Sequence, residues 1–342
     1  MIPKKNNKCR IVVDAMGGDY APIAPILGVN EAIKQNSDLE IILIGDESKI
    51  IEILQKEKIS FDRSRIIHTT EVIEMHDTPI ESLKKKKDSS IVKGVTLVKD
   101  GNADAFVSPG NTGAVMAAST LIIGRIKGFG RPTIGAQFPT NSNRVCTVYD
   151  VGASVDSKSS HLIEYGIMGT IYAQEIDGIK NPTIGLLSVG EEDTKGNSLV
   201  LESFEKLKTS KLNFVGNVEG RDILKGKTDI VLCDGFVGNI ILKFGESFVH
   251  FLKERIKNYA EHSLANKFRA LITKGVLKNS LADMDYQNHG GVPLLGVNGI
   301  SIIGHGSSSP FAIKNMILKA NEMFEKDLIN KFERGKDLYA NL

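Results

Sequence analysis

The stretch Ile11-Val12-Val13-Asp14-Ala15-Met16-Gly17-Gly18-Asp19-Tyr20-Ala21-Pro22 decides the fold. Three β-preferring residues end on a carboxylate, two glycines let the backbone turn and approach a neighbour closely, and Pro22 is suited to open a helix. Strand, turn and helix in that order form the unit from which a parallel α/β sheet is built. The turn lacks the GxGxxG spacing of a dinucleotide site, so it stands either as a ligand loop or as a plain tight turn.

Outward from this unit, short β-branched runs alternate with longer amphipathic stretches, which predicts an α/β fold with a doubly wound, mostly parallel sheet covered by helices. Strands are expected near Arg10–Asp14, Leu39–Ile44, Arg65–His68, Ala103–Val107, Thr133–Phe138, Val145–Tyr149, Thr183–Leu187, Asn213–Val215, Asp229–Cys233 and Ser301–Ile303. Helices are expected to start at Thr78-Pro79 and at Asn111-Thr112, where a capping residue precedes Ala114 to Ala118. The 342 residues contain no fixed-period repeat or low-complexity linker. A single domain over 9–335, with room for two lobes around one cleft, is therefore expected between tails at 1–8 and 336–342.

With 41% hydrophobic residues, 25% charged residues and a formal charge of +2, the chain reads as globular and lacks the basic excess of a nucleic-acid binder. Cys9, Cys146 and Cys233 stand far apart with no CxxC spacing, which predicts a reducing compartment, buried thiols and no structural zinc. No apolar run approaches the ~20 residues that cross a bilayer. The start Met1-Ile2-Pro3-Lys4-Lys5 lacks a signal-peptide core, so a cytoplasmic location is expected.

Chemistry recurs at the strand ends. Ala15 to Asp19, Ser108 to Gly113, Asp150 to Ala153, Gly190 to Asn197, Asp234 to Asn239 and Gly304 to Ser308 are all glycine-containing turns after apolar strands. Parallel strands present their carboxyl ends to one edge, so the six turns are expected to converge on one cleft, offering N–H groups and helix N-termini to a phosphate-like anion. Lys195, between Thr194 and Gly196, either serves that anion or is a solvated lysine opposing a helix dipole. Asn111 and Asn239 either orient ligand oxygens or cap helices. His305 could donate to an anion, accept a proton or hold a turn.

Five carboxylates, Asp14, Asp19, Asp150, Asp156 and Asp234, would repel phosphate if all faced inward, so most are expected to brace turns through backbone N–H groups. No compact carboxylate cluster calls for a metal, and no cofactor is expected. There is no GxSxG elbow, and Cys233 lies beside Asp234, which raises a thiol pKa. The nucleophile must then be a substrate.

Lys84-Lys85-Lys86-Lys87 is either a solvated face or a rim that steers an acidic partner. An amphipathic helix pair is expected near residues 245–280. Phe248, Leu252, Ile256 and Tyr259 form one apolar stripe; Leu264, Phe268, Leu271, Ile272 and Val276 form another, beside Lys267, Arg269, Lys274 and Lys278. Such helices pack in the core, pair between subunits or lie on an anionic membrane surface.

Seven blocks, in order, resemble the bacterial phosphate acyltransferase family (PlsX). They are Val13 to Asp19, Gly110 to Ala114, Asp150 to Ala153, Gly190 to Asn197, Gly216 to Asp222, Cys233 to Asn239 and Gly304 to Ser308. Pro109 stands where the family pattern has Ala, and Ser154 where it has Asn. The resemblance implies a dimeric fold of the isocitrate-dehydrogenase and phosphotransacetylase type, attached peripherally to the inner membrane surface. It implies transfer of a long-chain acyl group from acyl carrier protein to inorganic phosphate. The acyl phosphate would then feed phosphatidic acid synthesis through a glycerol-3-phosphate acyltransferase.

The expected catalytic set is Lys195, Asn239 and His305. The expected substrate contacts are Asp14, Gly17, Gly18, Asn111, Thr112, Gly113, Gly196, Asn197, Gly238 and Ser307, with Lys84 to Lys87 as the docking rim. A short-chain acyl-CoA phosphotransacetylase and a non-enzymatic membrane scaffold are the alternatives. Loss of function on removing Lys195 would exclude the scaffold.

Overall fold

The computed structural model describes residues 8–142, 144–280 and 290–339. The opening stretch folds as read: Ile11, Val12 and Val13 are fully buried in β1 (Arg10–Asp14), and Pro22 is the N-cap of α1 (Ile23–Gln35). The pattern continues through β2 (Glu40–Gly45), α2 (Glu47–Lys56), β3 (Ile66–His68), α3 (Pro79–Lys85), α4 (Ser90–Lys99), β4 (Ala105–Ser108) and α5 (Thr112–Ala118). A hairpin of β5 (Thr133–Pro139) and β6 (Val145–Tyr149) follows. Next come α6 (Ser159–Glu175), β7 (Ile184–Leu187), α7 (Ser198–Thr209), β8 (Phe214–Val218), α8 (Gly220–Lys225) and β9 (Ile230–Leu232). The long helices α9 (Gly235–Glu261) and α10 (Leu264–Ser280) precede β10 (Val292–Leu295), β11 (Ile300–Ile303), α11 (Pro310–Glu325) and α12 (Leu328–Tyr339).

The eleven strands among the described residues join one sheet in the order β3-β2-β1-β4-β11-β10-β5-β6-β9-β7-β8. Two parallel blocks, β3-β2-β1-β4-β11 and β6-β9-β7-β8, are joined by β10 and β5, whose pairings with their neighbours are antiparallel. The sheet is mostly parallel, and its two faces carry separate cores. Alternation sorts β1: Ile11 and Val13 pack into the core under α1, α2, α6, α7, α11 and α12, and Val12 into the core under α4, α5 and α8.

The ten expected strands are present with ends shifted by a few residues, but β10 was not expected. Its Pro293 reads as a strand breaker, yet Val292 and Pro293 pair at the junction with Ile303 and Ile302. The helix pair begins earlier than 245, because Asp234 caps α9 and Ile241 and Leu242 pack into the core. α12 runs across the expected boundary at 335 to Tyr339, which packs against the core. Of the expected tails, residues 1–7 and 340–342 lie outside the described residues. So do the side chains of Ile272, Lys274, Val276 and Lys278.

Candidate active site

Asp150, at the end of β6, is buried, and its oxygens accept the N–H groups of Gly152, Ala153 and Ser154 at 3.1, 2.9 and 2.7 Å. Burial raises its pKa against the pull of those bonds. Asp14 does the same after β1, accepting Met16 N–H at 3.0 Å and the Ser108 hydroxyl at 2.7 Å. Asp234 caps α9 by accepting Val237 N–H at 2.9 Å. Carboxylates at the ends of these strands thus hold the turns in shape.

The six turns do not form the single rim that a uniform strand direction would give. Because β10 and β5 reverse the sense of the sheet, the turns after β1, β4 and β11 leave the carboxyl edge of one block, and those after β6, β7 and β9 leave that of the other. In the first group Asp19 N–H donates to the Gly306 carbonyl and Gly304 N–H to the Ser108 carbonyl; in the second Gly235 N–H donates to the Ser154 carbonyl.

In the second group, β6, β9 and β7 are neighbours at about 4.8 Å spacing, so their loops rise within about 10 Å of one another. Gly238, in the first turn of α9, lies against the Asp150 carbonyl so closely that a Cβ would fall 1.8 Å from its oxygen. This contact by itself requires a glycine at 238. It also fixes the next residue: Asn239 is exposed, with its Oδ1 3.4 Å from where a Cβ on Gly152 would stand, and its amide has no hydrogen-bond partner among the described residues.

Lys195 stands on the loop after β7. Its N–H donates to Glu192 O at 3.0 Å, and its carbonyl accepts the Ser188 hydroxyl at 3.0 Å. Two acids of that loop are already paired, Glu191 with Lys227 at 3.0 Å and Asp193 with Lys208 at 3.6 Å. The Lys195 ammonium is exposed and makes no ion pair or hydrogen bond among the described residues. Gly196, at φ +128°, turns the chain into Asn197, which caps α7 by accepting Val200 N–H at 2.9 Å. A cavity of about 360 Å³ opens beside these loops between the first turns of α6 and α7. On its wall Lys206 donates to the Ser159 hydroxyl at 2.7 Å and to Glu202 at 3.0 Å. Sequence reading missed Lys158 and Lys206 here. Lys158, a cation at the start of α6, carries the signal that singled out Lys195.

The first group is tightly packed. Gly17 lies against the Asp14 carboxylate and the Gly110 N–H, Gly18 takes φ +86° against the Gly306 carbonyl, and Asp19 N–H donates to that carbonyl at 2.7 Å. Gly113 is pressed on Pro79. Asp14 is 1% exposed, and both of its oxygens accept internal hydrogen bonds. Asn111 is likewise committed: Oδ1 accepts Ala114 N–H, and Nδ2 donates to the carbonyls of Glu74, Met75 and Asp77 at 3.0–3.1 Å. Thr112 is exposed at the start of α5. His305 is exposed, and its Nδ1 accepts Ser307 N–H at 3.2 Å and lies 2.8 Å from the Ser307 hydroxyl. With Nδ1 accepting the Ser307 N–H, a neutral ring carries its proton on Nε2.

Of the lysine run, Lys86 is taken out of the docking rim: its ammonium holds Asp77 at 2.5 Å and the Val72 carbonyl at 2.7 Å. Lys84, Lys85 and Lys87 are exposed, Lys85 with Glu81 at 3.4 Å. Cys233 is buried, and burial pushes its thiol far above the usual range. Among the described residues no group of His, Cys, Asp and Glu is arranged to hold a metal ion, and no helix is long and apolar enough to cross a membrane.

The chain shares its fold with phosphotransacetylases of known structure. A phosphotransacetylase of Streptococcus pyogenes matches it with a TM-score of 0.59 at 20% identity, covering 92% of this chain and 93% of that one. The EutD phosphotransacetylase of Staphylococcus aureus matches with a TM-score of 0.56 at 15% identity, over 93% and 94%. The family model described as fatty acid synthesis protein matches residues 9–331. "Phosphate acyltransferase" of Halothermothrix orenii is 47% identical over 332 residues, 96% of this chain and 99% of that protein. The protein of the same name from Desulfitobacterium hafniense is 48% identical over 326 residues, 95% and 97% of the two chains. The chain belongs to this phosphate acyltransferase family.

Proposed function

We propose that the protein transfers a long-chain acyl group from an acyl carrier protein thioester to inorganic phosphate. One observation carries the reading: Lys195 and Asn239, two polar side chains with no partner among the described residues, stand on neighbouring loops of one sheet edge. A phosphate oxygen attacks the acyl carbon, the C–S bond breaks, and acyl phosphate and the carrier thiol leave. Lys195 offsets the charge of the dianion, and the Asn239 amide donates to the developing oxyanion. The departing thiolate accepts a hydrogen bond from the His305 Nε2–H and takes its proton from the attacking hydrogen phosphate or from water, leaving as the carrier thiol. A twist of about 20–25° per strand over the six steps from β1 to β9 turns one block by about 120–150° relative to the other. That rotation largely offsets their opposite sense and supports a cleft into which both groups of turns face.

The acidic carrier is steered by Lys84, Lys85 and Lys87. From Phe244 onward, α9 and α10 leave Phe244, Phe248, Phe251 and Phe268 exposed, an apolar surface that suits a second copy of the chain or the inner membrane face. The acyl phosphate passes to a glycerol-3-phosphate acyltransferase, and the enzyme works in the cytoplasm as a peripheral membrane protein.

Acyl carrier protein thioester and phosphate are mixed with the enzyme, and the product is trapped as hydroxamate with hydroxylamine. Wild type should form it and Lys195→Ala should not, with an unchanged circular dichroism spectrum. Wild-type rates in the variant would remove Lys195 from the reaction, and turnover of acetyl-CoA in place of the carrier thioester would favour a short-chain phosphotransacetylase.

A further inference from the structure

The loops that carry Lys195 and Asn239 also carry large apolar side chains turned to solvent. Val155 is 66% exposed, Val189 82%, Phe236 57% and Ile240 53%. Val155 belongs to the loop after β6, Val189 to the loop after β7, and Phe236 and Ile240 flank Asn239 on the first turns of α9. Exposed apolar residues scattered singly need no explanation, but these four share one sheet edge.

The backbone brings them together. Gly235 N–H donates to the Ser154 carbonyl at 3.0 Å, so Val155 and Phe236 follow directly from two hydrogen-bonded positions. On the other side, β7 and β9 pair Gly185 with Val231 and Leu186 with Leu232, and Val189 and Gly235 each follow three residues beyond that last pair. The two valines therefore bracket the start of α9 from the β6 side and the β7 side. Phe236 and Ile240, four residues apart, lie on one face of the helix, and Asn239, three residues after Phe236, borders that face.

We infer that Val155, Val189, Phe236 and Ile240 form the seat of the alkyl chain of the acyl donor and determine which chain lengths react. The assignment rests on the proposed acyl transfer. An apolar acyl chain that reacts beside a bound phosphate matches a surface where an ammonium and an amide, both without a partner among the described residues, border four uncovered apolar side chains. A hydrophilic acyl donor would give these loops no reason to keep Val189 and Phe236 uncovered.

The test measures hydroxamate formation with butyryl and palmitoyl carrier-protein thioesters for wild type, Val189→Ser and Phe236→Ser, with light scattering to follow oligomeric state. The expected result is a KM for the palmitoyl donor raised about tenfold in each variant. The butyryl KM, and kcat for both donors, should stay within about twofold. An equal effect on both donors, or none, overturns the assignment. So does a change in oligomeric state in the variants, which would make the surface a contact between copies of the chain. If wild type forms no acyl phosphate from either donor, the proposed function falls and this assignment with it; if only chain-length dependence is missing, the function stands and the assignment alone is lost.

Discussion

Single atoms decide several positions. At Gly238 a methyl group would meet the Asp150 carbonyl at 1.8 Å, and both partners are backbone-fixed. Gly238→Ala should therefore destabilise the protein by about 3 kcal/mol or more, measured by denaturant unfolding. It should also displace Asn239 and lower kcat. Gly220→Ala, where nothing lies within 4 Å of the added carbon, should be close to neutral. Asp177 supplies a pH effect. Burial raises its pKa from 3.8 to about 6, with Lys319 and the Gln137 amide, at 3.1 Å, opposing the shift. A carboxyl with a raised folded-state pKa contributes stability fully below 3.8, and the contribution is lost as pH climbs through about 6. Asp177→Asn should remove that loss, so its unfolding midpoint should change less favourably to acid between pH 4 and pH 6 than that of wild type.

Among elements, α5 depends on its first residue most. Asn111 caps it and also holds three carbonyls of the 74–77 segment, tying the turn after β4 to the lysine-bearing helix α3. Asn111→Ala should cost about 2–3 kcal/mol, more than a cap alone, because the carbonyls lose their donor. Chemical denaturation measures the total, and faster hydrogen exchange over residues 74–77 would locate it. In α9 the core face ends after Ile241 and Leu242, and Phe244, Phe248 and Phe251 are left uncovered. Phe244→Ser with Phe248→Ser should weaken vesicle binding or self-association without loss of the fold. Sedimentation with anionic vesicles and light scattering read the two outcomes separately.

At the scale of the whole molecule, binding of a dianion to the native state alone should stabilise it by mass action. Millimolar phosphate should raise the melting temperature of wild type, and the rise should shrink in Lys195→Ala. Steering of an acidic carrier by Lys84, Lys85 and Lys87 should appear as a KM for carrier thioester that grows with ionic strength, while the KM for phosphate changes less.

Local chemistry could be read directly from residue order. Strand β1, its Gly17-Gly18 turn, the cap at Asn111, the carboxylates that brace turns and the prominence of Lys195 and Asn239 each depend on neighbours a few positions away. What residue order left open depends on partners distant along the chain. Val292 to Leu295 is a strand because β5 and β11 flank it, and its antiparallel pairing reverses the sheet and divides six similar turns into two groups. Asn111 and Lys86 look available in sequence and are spent on carbonyls and a carboxylate from other segments. Periodicity and turn chemistry are local, so the chain itself sets its elements; which polar atoms stay unpaired to meet a ligand is settled only when the two blocks and their loops come together.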